Sequence, residues 1–215
     1  MIEKIKKILL KIYIKTIGKI NNLKIKNKEI TIISNNCWGG IFYRDNNLKY
    51  LSPTLGLFFM SDDYIKFIYN LKAYINKELY FISKKESKHY DYLMKIKYEG
   101  IIGKIEDIEI MFLHYKDEKE AYDKWNRRKK RINWNNIIYK FSDQNLCTYQ
   151  NLLDFQNFNA KNKILFTAKK YSEIDSIQIK KYKNCSYVID DIKSYKKHFN
   201  MIKYINKINI NDNNI

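Results

Sequence analysis

A chain of 215 residues, 45% hydrophobic and 15% aromatic, has the material for one sizeable core, which excludes an intrinsically disordered protein. Its 3 cysteines show no CxxC spacing and its 3 histidines no ligand spacing, so neither a disulfide framework nor a metal cluster is indicated. The net charge of +18 points to an anionic partner, yet Lys far outnumbers Arg, as AT-rich codons produce, and much of that charge reads as a solvated lysine-rich surface.

Residues 2–20 have helical periodicity. Ile2, Ile5, Leu9 and Ile12 share one broad face, and Lys4, Lys7, Lys11 and Lys15 cluster on another. A basic amphipathic helix of this kind lies on an anionic membrane surface or, in the preferred reading, packs as an ordinary surface helix. No signal peptide is read, because Lys recurs through the apolar run and no small-residue cleavage site follows. No stretch approaches the roughly 20 apolar residues of a membrane-spanning helix. The expected location is the reducing cytoplasm, peripheral to the inner face of the membrane if the helix binds lipid.

The run Ile30–Ser34 reads as a short buried strand ending in the turn residues Asn35 and Asn36. Cys37 and Trp38 follow, then Gly39 and Gly40, two of only 6 glycines. Paired glycines mark a sharp turn or a close approach of backbone. Leu55–Met60 reads as a strand, Ser61 to Asn76 as a helix capped by Ser61, Tyr80–Ile82 and Tyr92–Lys97 as strands, and Gly100 and Gly103 as turns. Ile105–Leu113 reads as one strand ending at His114. Asp117 to Arg131 is helical, with acidic residues at its start and basic residues at its end, as the helix dipole favours. Ile137–Phe141 and Lys163–Thr167 are further strands, separated by a helix at Leu146–Phe155.

Alternating strands and helices predict an α/β fold, with a mainly parallel or mixed sheet and helices on both faces. The expected organisation is an N-terminal amphipathic helix over 1–27, a single α/β domain over 28–200 and a polar tail over 201–215. Ligands are expected beyond the carboxyl ends of the strands. GxGxxG and GxxxxGK[ST] do not occur, and no cofactor is assigned.

Two constellations carry chemistry. Cys37 sits close to a helix start, a position that lowers a thiol pKa. His114 is the candidate base, with Asp62, Asp63 or Asp143 to orient it. A buried cysteine and a structural histidine are the modestly favoured alternative. The second constellation, Trp125 to Asn135, holds most of the arginine in the chain. Arginine suits phosphate or carboxylate, and the tryptophans offer faces for a sugar or a base. A solvated helix end is the plain alternative. Asp190 and Asp191 read as helix caps.

The segments SNNCWGG (34–40), YR (43–44), SPTLGL (52–57) and FLHY…EA…KWNRRKKRIN (112–133) resemble a bacterial family of exopolysaccharide or capsular polysaccharide biosynthesis proteins built on a domain of unknown function. The resemblance covers about residues 30–169. It implies an α/β protein of surface-polysaccharide biosynthesis and carries over no catalytic residue. The residues themselves are read as those of a transferase or hydrolase acting on a sugar-phosphate, nucleotide-sugar, lipid-linked sugar or glycan substituent. The roles expected are Cys37 and His114 as nucleophile and base, and Asn35, Asn36, Gly39 and Gly40 around the ligand. Arg44, Arg127, Arg128 and Arg131 are expected on its anionic group, and Trp38 or Trp125 on a sugar ring. The alternative is a non-catalytic protein docking on membrane-associated assembly machinery. Nucleic acid is the least favoured partner.

Overall fold

The computed structural model describes residues 16–208. The expected basic helix falls largely on residues 1–15, outside the described residues. What is described of it is a helix over 16–24 (α1).

The chain is α/β, with its strands divided between two sheets. The first is parallel, in the order β1 (Thr31–Ser34), β6 (Ile137–Ser142), β7 (Lys163–Thr167), β8 (Ile177–Gln178). The second is antiparallel, in the order β2 (Leu57–Phe58), β5 (Ile108–Phe112), β4 (Ile101–Ile105), β3 (Tyr80–Ile82). A parallel sheet is covered on both faces, so its strands are apolar runs. Ile33, Phe141 and Leu165 face one core with α3 (Ser61–Tyr69), α4 (Leu71–Asn76) and α7 (Tyr149–Asn157). Ile32, Ile138, Ile164 and Phe166 face the other with α2 (Trp38–Asp45) and α9 (Met201–Lys207). The first core also takes Leu57, Phe112 and Trp125, the last on α6 (Glu118–Lys129), and so joins the two sheets.

β1 lies at the edge of its sheet, where unpaired backbone groups need cover. Side chains provide it. The Tyr43 hydroxyl accepts from Ile32 N and donates to the Ile30 carbonyl, both at 2.8 Å. Thr54 Oγ1 accepts from Ser34 N at 3.1 Å. Beyond the edge, Phe59 N donates to the Asn35 carbonyl at 3.0 Å and fixes the start of the antiparallel sheet against the end of β1.

Four local expectations are corrected. Residues expected as a strand at Tyr92–Lys97 belong to a helix, α5 (Tyr90–Lys95), which sets Leu93 against the outer face of the antiparallel sheet. Gly103 is in the middle of β4 and not in a turn. A Cβ there would come within 2.7 Å of Phe112 and Leu79, so glycine is needed for packing. The segment 105–113 is broken by a turn at Glu106, φ +52°, and only Ile108–Phe112 is strand β5. Residues 201–207, grouped with a polar tail, form α9, because Met201 and Ile205 are buried in the second core.

Gly39 sets how closely α2 lies on β1. A Cβ on it would meet Ile32 Cγ2 at 3.1 Å and Ser34 Cβ at 3.3 Å. Gly39→Val should therefore overpack this contact and lower unfolding free energy by about 1–3 kcal/mol, read from urea denaturation.

Candidate functional site

β1 and β6 are neighbours; β1 ends at Ser34, opposite Lys140, and β6 runs on to Ser142. Asn35 continues their ladder with its side chain. Its Oδ1 accepts from Ser142 N at 3.2 Å and its Nδ2 donates to the Ser142 carbonyl at 3.0 Å. Asn36 then turns the chain into α2, its Oδ1 accepting from Trp38 N at 3.1 Å.

Beneath this turn is a lysine with no access to solvent. Lys140, on β6, has a side chain 0% exposed, and it pairs with Asp191, 1% exposed, at the start of α8 (Asp191–Ser194). Its Nζ also reaches Asn36 Oδ1 at 3.0 Å, Ser142 Oγ at 3.1 Å and Asn35 Oδ1 at 3.3 Å. Burial pushes the Lys140 pKa down, and the Asp191 carboxylate opposes that shift. Asp191 is tied a second time, to Asn36 Nδ2 at 3.0 Å. The same amide reaches Gln144 Oε1 at 2.7 Å, and Gln144 Nε2 holds the Val188 carbonyl at 2.6 Å. Asp143 accepts from Ala168 N and Val188 N, both at 2.7 Å. Burial raises its pKa. The C-terminal segment is thus fastened across the ends of the parallel strands.

A cavity of about 860 Å³ opens above this network. Asn36, Gln144, Asp190 and Asp191 line one side, and Cys37, Ile41 and Arg44 of α2 another, with Lys193 and Lys196 at the wall. A smaller cavity of about 180 Å³ lies across α2, lined by Cys37, Gly40, Arg44, Tyr50, His114 and Arg128. Cys37, Ile41 and Arg44 are spaced as one stripe of a helix and border both cavities.

Residues 8–212 match a family described as a domain of unknown function, DUF1919. The chain belongs to this family. It is also similar to a protein of Haemophilus influenzae (strain ATCC 51907 / DSM 11121 / KW20 / Rd) named "Uncharacterized protein", at 28% identity over 191 residues, covering 85% of this chain and 87% of the relative.

The DUF1919 fold brings several of the expected residues to one place. Asn36 borders the larger cavity, Gly40, His114 and Arg128 the smaller, and Cys37 and Arg44 both. Asn35 lies below them, and Gly39 is packed on β1. Arg127 and Arg131 are exposed and line neither cavity. Both expected stacking residues are corrected. Trp38 is enclosed, stacked on Phe42 at 5.6 Å and edge-on to Tyr195 at 4.9 Å, and Trp125 is buried between Phe67 and Phe112. Neither presents a face to a ligand.

The cysteine chemistry is corrected too. Cys37 does stand at the start of α2, but it is buried, and its thiol donates to the Leu57 carbonyl at 3.6 Å. Burial, then the nearby Asp191 carboxylate, raise its pKa to about 11. Depth outweighs the helix dipole. None of the acids expected to orient His114 does so: Asp62 accepts from Asn151 Nδ2, Asp63 holds Lys88 and His89, and Asp143 holds backbone amides. Among the described residues no group of His, Cys, Asp and Glu could hold a metal ion, and no described helix is long and apolar enough to cross a membrane.

Sequence reasoning missed Lys140, Asp191 and Gln144. The available signal was a lysine inside the apolar run IIYKFS, at a position whose neighbours face a core. Asp190 is a cap, accepting from Lys193 N at 3.0 Å, whereas Asp191 is the partner of that lysine.

Two measurements check this arrangement. Asp191→Ala leaves the Lys140 ammonium buried without a counter-charge and should cost about 3–5 kcal/mol of unfolding free energy, whereas Lys140→Met combined with Asp191→Leu should restore most of it. Peptide-resolved iodoacetamide labelling of Cys37 should stay slow at neutral pH and rise with a midpoint near 11. The raised value also contributes stability that is fully present below the ordinary thiol pKa of 9.0 and is lost as pH rises through about 11.

Proposed function

We propose that this chain binds a phosphorylated sugar, as a sugar-phosphate or nucleotide-sugar, and acts on it as a cytoplasmic transferase or hydrolase of surface-polysaccharide biosynthesis. The observation that carries the reading is the cavity of about 860 Å³ beyond the carboxyl ends of β1 and β6. Its volume is that of a small-molecule site, and its place is where α/β sheets bind ligands. Its lining matches the two halves of such a ligand. The Asp190 carboxylate suits a sugar hydroxyl, Arg44, at the edge shared with the smaller cavity, suits a phosphate, and Lys193 and Lys196 add positive charge at the wall. The polysaccharide setting rests on the motif resemblance at SNNCWGG and KWNRRKKRIN.

Cys37 is a wall of this site and not its nucleophile, since a thiol held near pKa 11 supplies little thiolate at neutral pH. Asp190 is the better proton acceptor. Its side chain is 30% exposed and borders the cavity, so an incoming hydroxyl or water can reach it.

Calorimetric titration with UDP-glucose and glucose 1-phosphate should show saturable binding. Arg44→Ala should weaken it about tenfold, the worth of a charge-assisted hydrogen bond, without lowering the melting temperature, because the Arg44 side chain is 60% exposed and pairs only with its neighbour Asp45. If a broad panel of nucleotide-sugars and sugar phosphates shows no saturable binding, the reading fails. In cells, Cys37→Ser should keep polymer production and Asp190→Asn should lose it.

A further inference from the structure

Arg128, on α6, borders the smaller cavity. Among the described residues it takes part in no ion pair, although the chain carries 23 acidic side chains. It is nevertheless fixed in place. Its Nη1 donates to the Tyr115 hydroxyl at 2.6 Å and lies 3.4 Å from the Leu55 carbonyl. Its guanidinium lies 6.0 Å from the Tyr50 ring and 5.8 Å from that of Tyr115. Nε and Nη2 make no hydrogen bond to any described residue. This half-buried, pre-positioned fork with free donors borders the cavity of about 180 Å³, together with Arg44 and His114. That volume is too small for a whole ligand of ordinary size but suits one group of it. Cys37, Ile41 and Arg44 border both cavities, so the two are adjacent across one stripe of α2.

We infer that the smaller cavity is an anion subsite, in which Arg128 takes the phosphoryl group of a ligand whose sugar occupies the larger cavity. The inference rests on the function proposed above and adds a division of labour to it. Arg128 supplies a fixed bidentate fork, Arg44 a second cation at the junction and His114 a ring nitrogen at the rim. The ligand is then a phosphorylated sugar that spans α2, with its phosphate on the Tyr50–Tyr115 side. Arg127 and Arg131, next to Arg128 in sequence, take no part, because they are exposed and line neither cavity.

The test uses the full chain and its Arg128→Gln variant, titrated with inorganic phosphate, glucose and UDP-glucose, with near-ultraviolet circular dichroism as the check of folding. Arg128→Gln should weaken phosphate and UDP-glucose about tenfold or more and leave any glucose affinity unchanged. Should the Gln variant not fold, Arg128→Lys takes its place under the same criterion, because it keeps the charge and loses the fork. A folded variant that binds phosphate and UDP-glucose as tightly as the wild type overturns the subsite. If UDP-glucose binding falls with Arg44→Ala but not with the Arg128 variant, the subsite is wrong and the proposed function stands. If phosphate binds in an Arg128-dependent way and no sugar compound binds at all, the subsite stands and the sugar reading is wrong.

Discussion

An ammonium group that no water can reach must be matched inside the protein, or it must lose its proton or the fold must open. Lys140 sets that constraint, and most of the structure around the cleft follows from satisfying it. Asp191 supplies the charge, while Asn35, Asn36 and Ser142 supply oxygens for the remaining protons of the ammonium. Each of these partners is also a boundary element: the end of β1, the turn into α2, the end of β6 and the start of α8. One buried cation therefore holds in register the parts of the chain that shape the cavity. The Trp38 and Phe166 rings, 5.8 and 5.7 Å from Nζ, close the other side.

The division into two sheets gives the cleft its second wall. β1 and β6 end beside the point where Phe59 N meets the Asn35 carbonyl, and the antiparallel sheet begins there. Phe58 and Leu113 bring that sheet to the rim of the larger cavity. Helix α2 runs between the cavities and lies tight on β1 because Gly39 has no side chain. The paired glycines therefore serve packing first: Gly39 against β1, and Gly40 against Leu55, where a Cβ would come to 3.3 Å.

How much of this was legible depends on how local each cause is. ITIIS, IIYKF and KILFT read as strands because a strand buried on both faces must be apolar along its length. The helix Glu118–Lys129 was legible because its charges match the dipole at both ends. The separation into two sheets was not legible, since pairing is decided by residues far apart. For Cys37 the sequence points to a lowered pKa, opposite to the raised one in the fold: the nearby helix start is visible in sequence, but depth and the Asp191 carboxylate are not. Trp38 and Trp125 show the same limit. An indole in a polar or basic stretch looks available, and only packing shows that each faces inward. Lys140 was visible as an oddity in an apolar run, but its counter-charge lies far along the chain.

That distance bears on the order of assembly during synthesis. Lys140 and Asp191 are 51 positions apart. A chain leaving the ribosome N-terminus first exposes β1, α2 and β6 before the carboxylate that neutralises Lys140 has been made. Until it emerges, seating β6 beside β1 would bury the ammonium without its counter-charge, which is unfavourable. The antiparallel sheet, whose strands lie within residues 57–112, is made before Lys140, but its inner face shares a core with Phe141 and Leu165 and is covered only once β6 and β7 have emerged. Translation thus favours a sequence in which the later-made half of the protein licenses closure of the strand that begins the first half.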